Sequence, residues 1–169
     1  MDYCSLGASQ LKVSKLCLGT MMFGAETDKS VSGQIIKSAK DNGVNFIDTA
    51  DVYVKGESER VVGELIKPSR DWWILATKAG QPFEDLPNHG GLSKKWLCQS
   101  IEKSLLRLNT DYIDIFYLHR DYEPESLVEA VTTMGDMIRS GKIRYFGLSN
   151  FRGWRIAEGL MLCKDFGVP

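Results

Sequence analysis

Residues 113–148 read IDIFYLHRDYEPESLVEAVTTMGDMIRSGKIRYFGL, and this stretch indicates the fold class of the chain. It begins with an apolar run typical of a buried strand and ends with a second apolar run from Ile143. Between the two runs, apolar residues recur every three or four positions, as on one face of a helix: Leu127, Val131, Met134 and Ile138. Pro124 precedes this helix and Gly141 follows it. The stretch therefore predicts a strand, a helix over 125–140 and a second strand parallel to the first.

The same unit recurs along the chain. Strand-like runs begin near Leu16, Val44, Trp73, Ile113 and Ile143, roughly 30 to 40 residues apart, which is the length of a βα unit. Helices are predicted over 28–42, 58–68, 93–108, 125–140 and 152–166, and residues 3–13 are predicted to form a hairpin. Alternating strands and helices indicate one α/β domain over residues 1–169, with helices packed outside a parallel sheet.

Two architectures fit five such units: a doubly wound, flavodoxin-like sheet and part of a (β/α)8 barrel. The length of 169 residues favours the first, because a complete barrel takes about 250 residues. A dinucleotide-binding sheet, however, should carry a Gly-x-Gly-x-x-Gly turn after its first strand. The turn from Gly19 to Gly24 has the wrong glycine spacing, and the chain has no P-loop. From the residues alone, both architectures stay open.

The composition excludes several functional classes. The chain is 43% hydrophobic and 25% charged, as in ordinary globular proteins, and its net charge of −1 gives no basic surface for nucleic acid. No apolar run approaches the roughly 18 residues of a membrane-spanning helix, and no signal peptide is recognisable. Four scattered cysteines are more typical of small buried apolar residues than of bridges or metal ligands: Cys4, Cys17, Cys98 and Cys163. We expect a cytoplasmic protein that binds no metal.

Polar residues follow the ends of four consecutive predicted strands. Asp48 ends the strand from Val44, Lys78 ends the next, His119 ends the third, and Ser149 with Asn150 ends the fourth. Singly, each has a more ordinary explanation, such as turn chemistry, a solvated lysine or a packed histidine. Because the carboxyl ends of parallel strands meet on one face, which holds the active site in such folds, their shared position is the stronger signal.

A specific chemistry would follow from this grouping. Tyr53 lies five residues after Asp48, and a tyrosine is a poor acid at neutral pH unless a cation stabilises its ionised form. Lys78 can supply that cation, Asp48 can hold Lys78, and His119 can donate a hydrogen bond to a substrate oxygen. The pattern indicates proton donation to a carbonyl oxygen.

At these residues the chain resembles the aldo-keto reductases. The matching stretches are spread in order over nearly the whole chain: residues 16–21, 45–53, 56–59 with Gly63, 76–78, 117–120, 141–144 and 147–151. The resemblance implies a (β/α)8 barrel plugged by the N-terminal hairpin, and NADP(H)-dependent reduction of aldehydes or ketones, with NAD(H) as the less common cofactor. The Gly56–Glu59 stretch resembles the branch with bacterial reductases and potassium-channel β subunits.

The resemblance also implies roles for individual residues. The catalytic tetrad would be Asp48, Tyr53, Lys78 and His119, with Tyr53 as the general acid. The nicotinamide and its ribose would lie near Gly19, Thr20, Met21 and Asp48, and Ser149 and Asn150 would hold the carboxamide.

The chain departs from the family pattern in extent. It ends at Pro169, before a sixth barrel strand, so we expect a barrel truncated after about five βα units that is inactive by itself. A natural five-unit protein is the other interpretation. The main functional alternative is a regulatory subunit that binds the cofactor and serves a protein partner, and a fragment with only a structural role is a third. The substrate and the oligomeric state are not predictable from the sequence.

Overall fold

The structure is a computed structural model that describes residues 1–7, 9–122 and 124–169. Strands β1 (Tyr3–Ser5) and β2 (Lys12–Ser14) form the predicted antiparallel hairpin. Asn45 ties this hairpin to the start of the main sheet, because its side-chain oxygen accepts from the Ser14 amide at 2.7 Å.

Among the residues that the structure describes, the main sheet has five parallel strands: β3 (Cys17–Gly19), β4 (Phe46–Asp48), β5 (Ile74–Ala79), β6 (Ile113–Leu118) and β7 (Ile143–Leu148). Their spatial order is their chain order, so each strand pairs with the one before it. A flavodoxin-like sheet would place its second strand outside its first. The order therefore contradicts the doubly wound alternative and agrees with successive strands of a barrel. Within the described residues the sheet is open, with β3 and β7 as its edges.

In the described part of the chain, five helices connect and cover the strands: α1 (Lys29–Asp41), α2 (Glu57–Ile66), α3 (Lys94–Leu108), α4 (Val128–Arg139) and α5 (Gly153–Phe166). Two short 3₁₀ segments, Tyr53–Gly56 and Lys67–Trp72, flank α2. Asp28 and Ser93 cap α1 and α3 by accepting from backbone amides three residues ahead. Helix α4 begins at Val128, three residues later than predicted, and its first helical bond runs from the Val131 amide to the Leu127 carbonyl.

The core lies between the strands and the inner faces of the helices. Its largest fully buried side chains include Trp73, Trp96 and Phe116. The four cysteines are unbridged, as expected, but the prediction that all are buried is wrong. Cys4 and Cys17 are exposed because they lie on β1 and on the edge strand β3.

Candidate active site

The carboxyl ends of β3 to β6 bring the predicted tetrad together. The strands are in register so that Gly19 lies beside Asp48, and Asp48 lies beside Ala76, two residues before Lys78. After β4 the backbone stays attached to β5, because the Thr49 amide donates to the Ala76 carbonyl and the Asp51 amide donates to the Lys78 carbonyl. These bonds hold residues 48–53 against the end of the next strand.

The Lys78 ammonium is the centre of the site. It donates to the Asp48 carboxylate at 2.5 Å, to the Thr49 carbonyl at 2.8 Å and to the Tyr53 hydroxyl oxygen at 3.2 Å. An ammonium has three donors, so all three are used. Because Lys78 donates to the phenolic oxygen, the Tyr53 hydroxyl proton remains free to be donated elsewhere.

Tyr53 is held by an unusual turn. Val54 and Lys55 have φ values of 49° and 53°, in the left-handed region that costs energy for residues with a Cβ, above all for a β-branched one. Gly56 continues the turn with φ of 86° and caps α2. A side chain at Gly56 would also collide with Arg107, because the Cβ of an alanine there would lie 2.7 Å from the Arg107 Cδ. Strain of this kind persists where the surrounding structure enforces it, and here it lies directly after Tyr53.

His119 completes the tetrad next to Tyr53. Their rings meet edge to face with centroids 5.9 Å apart. Burial, assisted by the Lys78 charge, lowers the pKa of His119 to about 4, so the imidazole is neutral at physiological pH. Its Nδ1 is buried and has no hydrogen-bond partner among the residues that the structure describes. A neutral imidazole donates from one nitrogen only, which suits a group that orients an uncharged oxygen.

Asp48 balances the Lys78 charge at the rim. Burial raises the pKa of the Asp48 carboxyl above its usual range, and Lys78 opposes this shift by its charge and its hydrogen bond. The short contact between the two side chains makes Asp48 the group that fixes where the ammonium lies.

The predicted cofactor residues lie on two separate parts of the rim. Gly19, Thr20 and Met21 line an open cleft of about 360 Å³ together with Asp48 and Tyr53. The cleft is completed by three residues that sequence reasoning did not single out: Met22, Phe23 and Thr27. Ser149 and Asn150 follow β7, at the other edge of the sheet, and do not border this cleft.

Thr20 faces inward more than the sequence suggested. It is fully buried, and its hydroxyl contacts the Asp48 carbonyl and the Ser58 hydroxyl. Ser58 in turn donates to the Thr20 carbonyl and contacts the Thr49 hydroxyl at 2.9 Å. Ser58, which is part of the Gly56–Glu59 stretch, thus ties together the loops after β3 and β4.

Asn150 supports His119 from the next strand. Its φ is 59°, and its side-chain amide donates to the His119 carbonyl at 2.9 Å and to the Ser149 hydroxyl at 3.0 Å. The Ser149 amide bonds the Leu118 carbonyl. Ser149 and Asn150 therefore continue the rim beyond the tetrad.

This fold and site define a class of protein, and comparisons with known proteins agree. A sequence model described as the aldo/keto reductase family matches residues 15–166. The chain belongs to this family.

Three relatives show the range of proteins that the chain is similar to. The uncharacterized oxidoreductase YrpG of Bacillus subtilis is 38% identical over 94% of this chain and 52% of its own length. Norsolorinic acid reductase B of Aspergillus parasiticus is 34% identical over 95% and 46%. A probable voltage-gated potassium channel subunit beta of Arabidopsis thaliana is 36% identical over 94% and 49%. The chain spans about half the length of the curated relatives it matches.

Neither a metal site nor a membrane-spanning helix is found in the described part of the chain. Within those ranges, no group of three or more His, Cys, Asp and Glu side chains is arranged to hold a metal ion. Helices long and apolar enough to cross a bilayer are likewise not found among those residues.

Proposed function

We propose that the intact protein containing this chain reduces aldehydes or ketones to alcohols with NADP(H), and that Tyr53 is the general acid. The observation that carries the proposal is the Lys78 ammonium, which donates to the phenolic oxygen of Tyr53 at 3.2 Å. The positive charge stabilises the tyrosinate that forms when the hydroxyl proton leaves. The family membership supports an oxidoreductase, and the tetrad geometry favours carbonyl chemistry.

The residues around the cleft fit the reactive end of a nicotinamide cofactor. The exposed backbone at Gly19 and the side chain of Met21 offer a surface for a flat ring and its ribose, with Asp48 beside them. Ser149 and Asn150 offer a hydroxyl and an amide suited to a carboxamide. When bound, the cofactor would supply the hydride. We place NADP(H) before NAD(H) on the family resemblance.

The chain's own residues would then do three things. His119, neutral and beside Tyr53, would donate a hydrogen bond that orients the carbonyl oxygen. Tyr53 would give its proton to that oxygen as negative charge develops there. Lys78, fixed by Asp48 and the Thr49 carbonyl, would stabilise the charge left on Tyr53.

The decisive experiment is turnover of a generic aldehyde with NADPH by the intact protein and by Tyr53→Phe. The substitution removes one hydroxyl and keeps the ring against His119. Because general acid catalysis contributes about 10²- to 10⁴-fold, we expect a loss of kcat in that range with nearly unchanged NADPH affinity. A control, Tyr3→Phe on β1, removes a hydroxyl that bonds the Gly43 carbonyl after α1 and should keep full activity. A Tyr53→Phe variant with wild-type kcat would contradict the assignment.

A second candidate is a cofactor-binding regulatory subunit. It is favoured by the similarity to a probable potassium channel subunit beta of Arabidopsis thaliana. The same experiment separates the two functions. Tight NADPH binding without turnover of any of a panel of aldehydes and ketones would favour the regulatory subunit.

A further inference from the structure

Asp51 is a buried acid that the proposed reaction does not use. The residue is 1% exposed; the Val52 backbone amide lies close to its carboxylate, but no side chain among the described residues bonds it. Its backbone amide donates to the Lys78 carbonyl at 3.0 Å. A buried carboxylate that no cation or side-chain donor bonds is unfavourable when charged, so a residue of this kind calls for a physical explanation.

The Asp51 side chain does not border the cleft at Gly19. It borders a small, partly open cavity between the loops and α3, with room for about one water molecule. Two other polar groups on this cavity, Trp96 Nε1 and Ser100 Oγ, are also buried and have no partner in the described part of the chain. The cavity is therefore polar, but no positively charged side chain that lines it bonds Asp51.

The charged and titratable groups around Asp51 come from four elements or loops: Glu59 on α2, Lys78 on β5, Lys103 and Arg107 on α3, and Tyr122 after β6. Glu59 is fully buried and already engaged, because it accepts from Arg107 Nε at 2.5 Å and from the Thr77 hydroxyl at 2.6 Å. Arg107 is therefore committed to Glu59, and Lys78 has no donor left. Burial first, and the Glu59 charge second, raise the pKa of Asp51 to about 8, against the opposing effects of the Arg107 charge, the Val52 amide and the Lys78 charge.

Ionisation of Asp51 would disturb the tetrad. A buried carboxylate next to Glu59 would need a cation or water. Lys78 and Arg107 are held by Asp48, Tyr53 and Glu59, and Lys103 lines the cavity without bonding Asp51. The ionised carboxylate could be relieved by drawing one of these cations towards it or by moving residues 48–53 outward to water. A movement of Lys78, or of the segment that contains Tyr53, would change the contact between the two.

We propose that Asp51 is a positioning residue for Lys78 and Tyr53. As a neutral carboxylic acid it keeps residues 48–53 packed on α2 and α3, and its ionisation loosens this packing. The role in turnover rests on the function proposed above. The neutral state and its effect on the loop rest only on the contacts around Asp51.

The first test compares the pH dependence of kcat in the intact protein and in Asp51→Asn, which imitates the neutral acid and cannot ionise. In the wild type we expect kcat to fall above about pH 8. In Asp51→Asn the ratio of kcat at pH 9 to kcat at pH 6.5 should rise at least about fivefold. Asp111→Asn, an exposed change at the opposite end of β6, should keep the wild-type profile. A profile of wild-type shape and position in Asp51→Asn would overturn the proposal.

The second test needs no turnover, so it separates failure of this inference from failure of the proposed function. The folded chain keeps a proton that the unfolded chain loses above its ordinary pKa of 3.8. The contribution of Asp51 to stability is therefore fully present below about pH 4 and is lost as the pH rises towards 8. Urea unfolding from pH 5 to 9 should show this loss in the wild type and a smaller slope in Asp51→Asn.

Infrared spectroscopy and a second variant cover the case in which Asp51→Asn does not fold. The wild type at pH 6.5 should show the carbonyl band of a protonated carboxylic acid, and that band should titrate near pH 8. Glu59→Gln removes the negative neighbour, so the band should titrate at lower pH. Absence of the band in the wild type at pH 6.5, or an unchanged midpoint in Glu59→Gln, would overturn the proposal.

Discussion

Lys78 links three oxygens that come from different parts of one loop. Asp48 ends β4, the Thr49 carbonyl follows it, and the Tyr53 hydroxyl returns from the start of the 3₁₀ turn. The lysine is 7% exposed, so its charge acts in a region of low dielectric and is screened less than a surface charge. A single ammonium thus fixes the loop and stabilises the proposed tyrosinate.

Replacement of Lys78 by methionine should separate these two roles. Lys78→Met keeps most of the length of the side chain and removes the charge. Because negative charge on Tyr53 develops only as its proton leaves, kcat and kcat/KM should fall by a similar factor. The measurement is kcat and KM for the intact protein at neutral pH. The exposed Lys95→Met on α3 is the matched control. If Lys78→Met kept the wild-type kcat, Lys78 would be structural only.

At the scale of elements, the packing of α2 against α3 carries the buried network behind the tetrad. Glu59 on α2 bonds Arg107 on α3, and the helices approach closely at Gly63. A Cβ at Gly63 would lie 2.3 Å from the Leu108 carbonyl oxygen, which is backbone and cannot turn away. The glycine is therefore required by the distance between the two helices.

Gly63→Ala should accordingly destabilise the protein. Overpacking of this kind costs about 1–3 kcal/mol, which exceeds the helix-propensity gain of roughly 1 kcal/mol from replacing glycine by alanine. Gly33→Ala is a matched control on α1, because its Cβ would meet only the end of the Leu65 side chain at 3.4 Å. Urea unfolding of both variants measures the difference. A Gly63→Ala variant as stable as Gly33→Ala would show that α2 and α3 can separate without cost.

At the scale of the whole molecule, the five-stranded sheet leaves apolar surface at its β7 edge. Phe146 and Leu148 on β7 and Leu160 on α5 line a groove there, and Leu160 is 68% exposed. At the other edge, Leu16 next to β3 is 62% exposed. Unpaired strand edges with apolar side chains promote association with other chains.

Residues 1–169 expressed alone should therefore form oligomers or aggregates, bind NADPH weakly and not reduce aldehydes. Size-exclusion chromatography with light scattering, together with NADPH fluorescence titration, tests this directly. The intact protein, measured beside it, is the control for cofactor binding and activity. A monodisperse monomer of 19.0 kDa with micromolar NADPH affinity and measurable turnover would contradict the prediction.

Much of the fold was predictable because its signals are local. Helical periodicity, capping residues and apolar runs depend on near neighbours in the chain, and all five predicted helices and the hairpin are present in the structure. The polarity of the strand ends is equally local, so the grouping of Asp48, Lys78 and His119 at one rim followed from parallel strands. The late start of α4 was not predictable from local pattern, since the Glu125 carbonyl, which would accept the first bond of a helix begun there, accepts instead from the distant Arg155 guanidinium.

The sequence by itself determined which residues end the strands and therefore which side chains can meet at the rim. Only the tertiary structure decided how they meet: that Lys78 donates to Thr49 and Tyr53, and that Ser149 and Asn150 lie apart from the cleft at Gly19. It also decided that Asp51 turns inward towards Glu59 and Arg107. The physical reason is that these contacts join residues far apart in the chain, so strand register and helix packing set their distances and no local pattern records them.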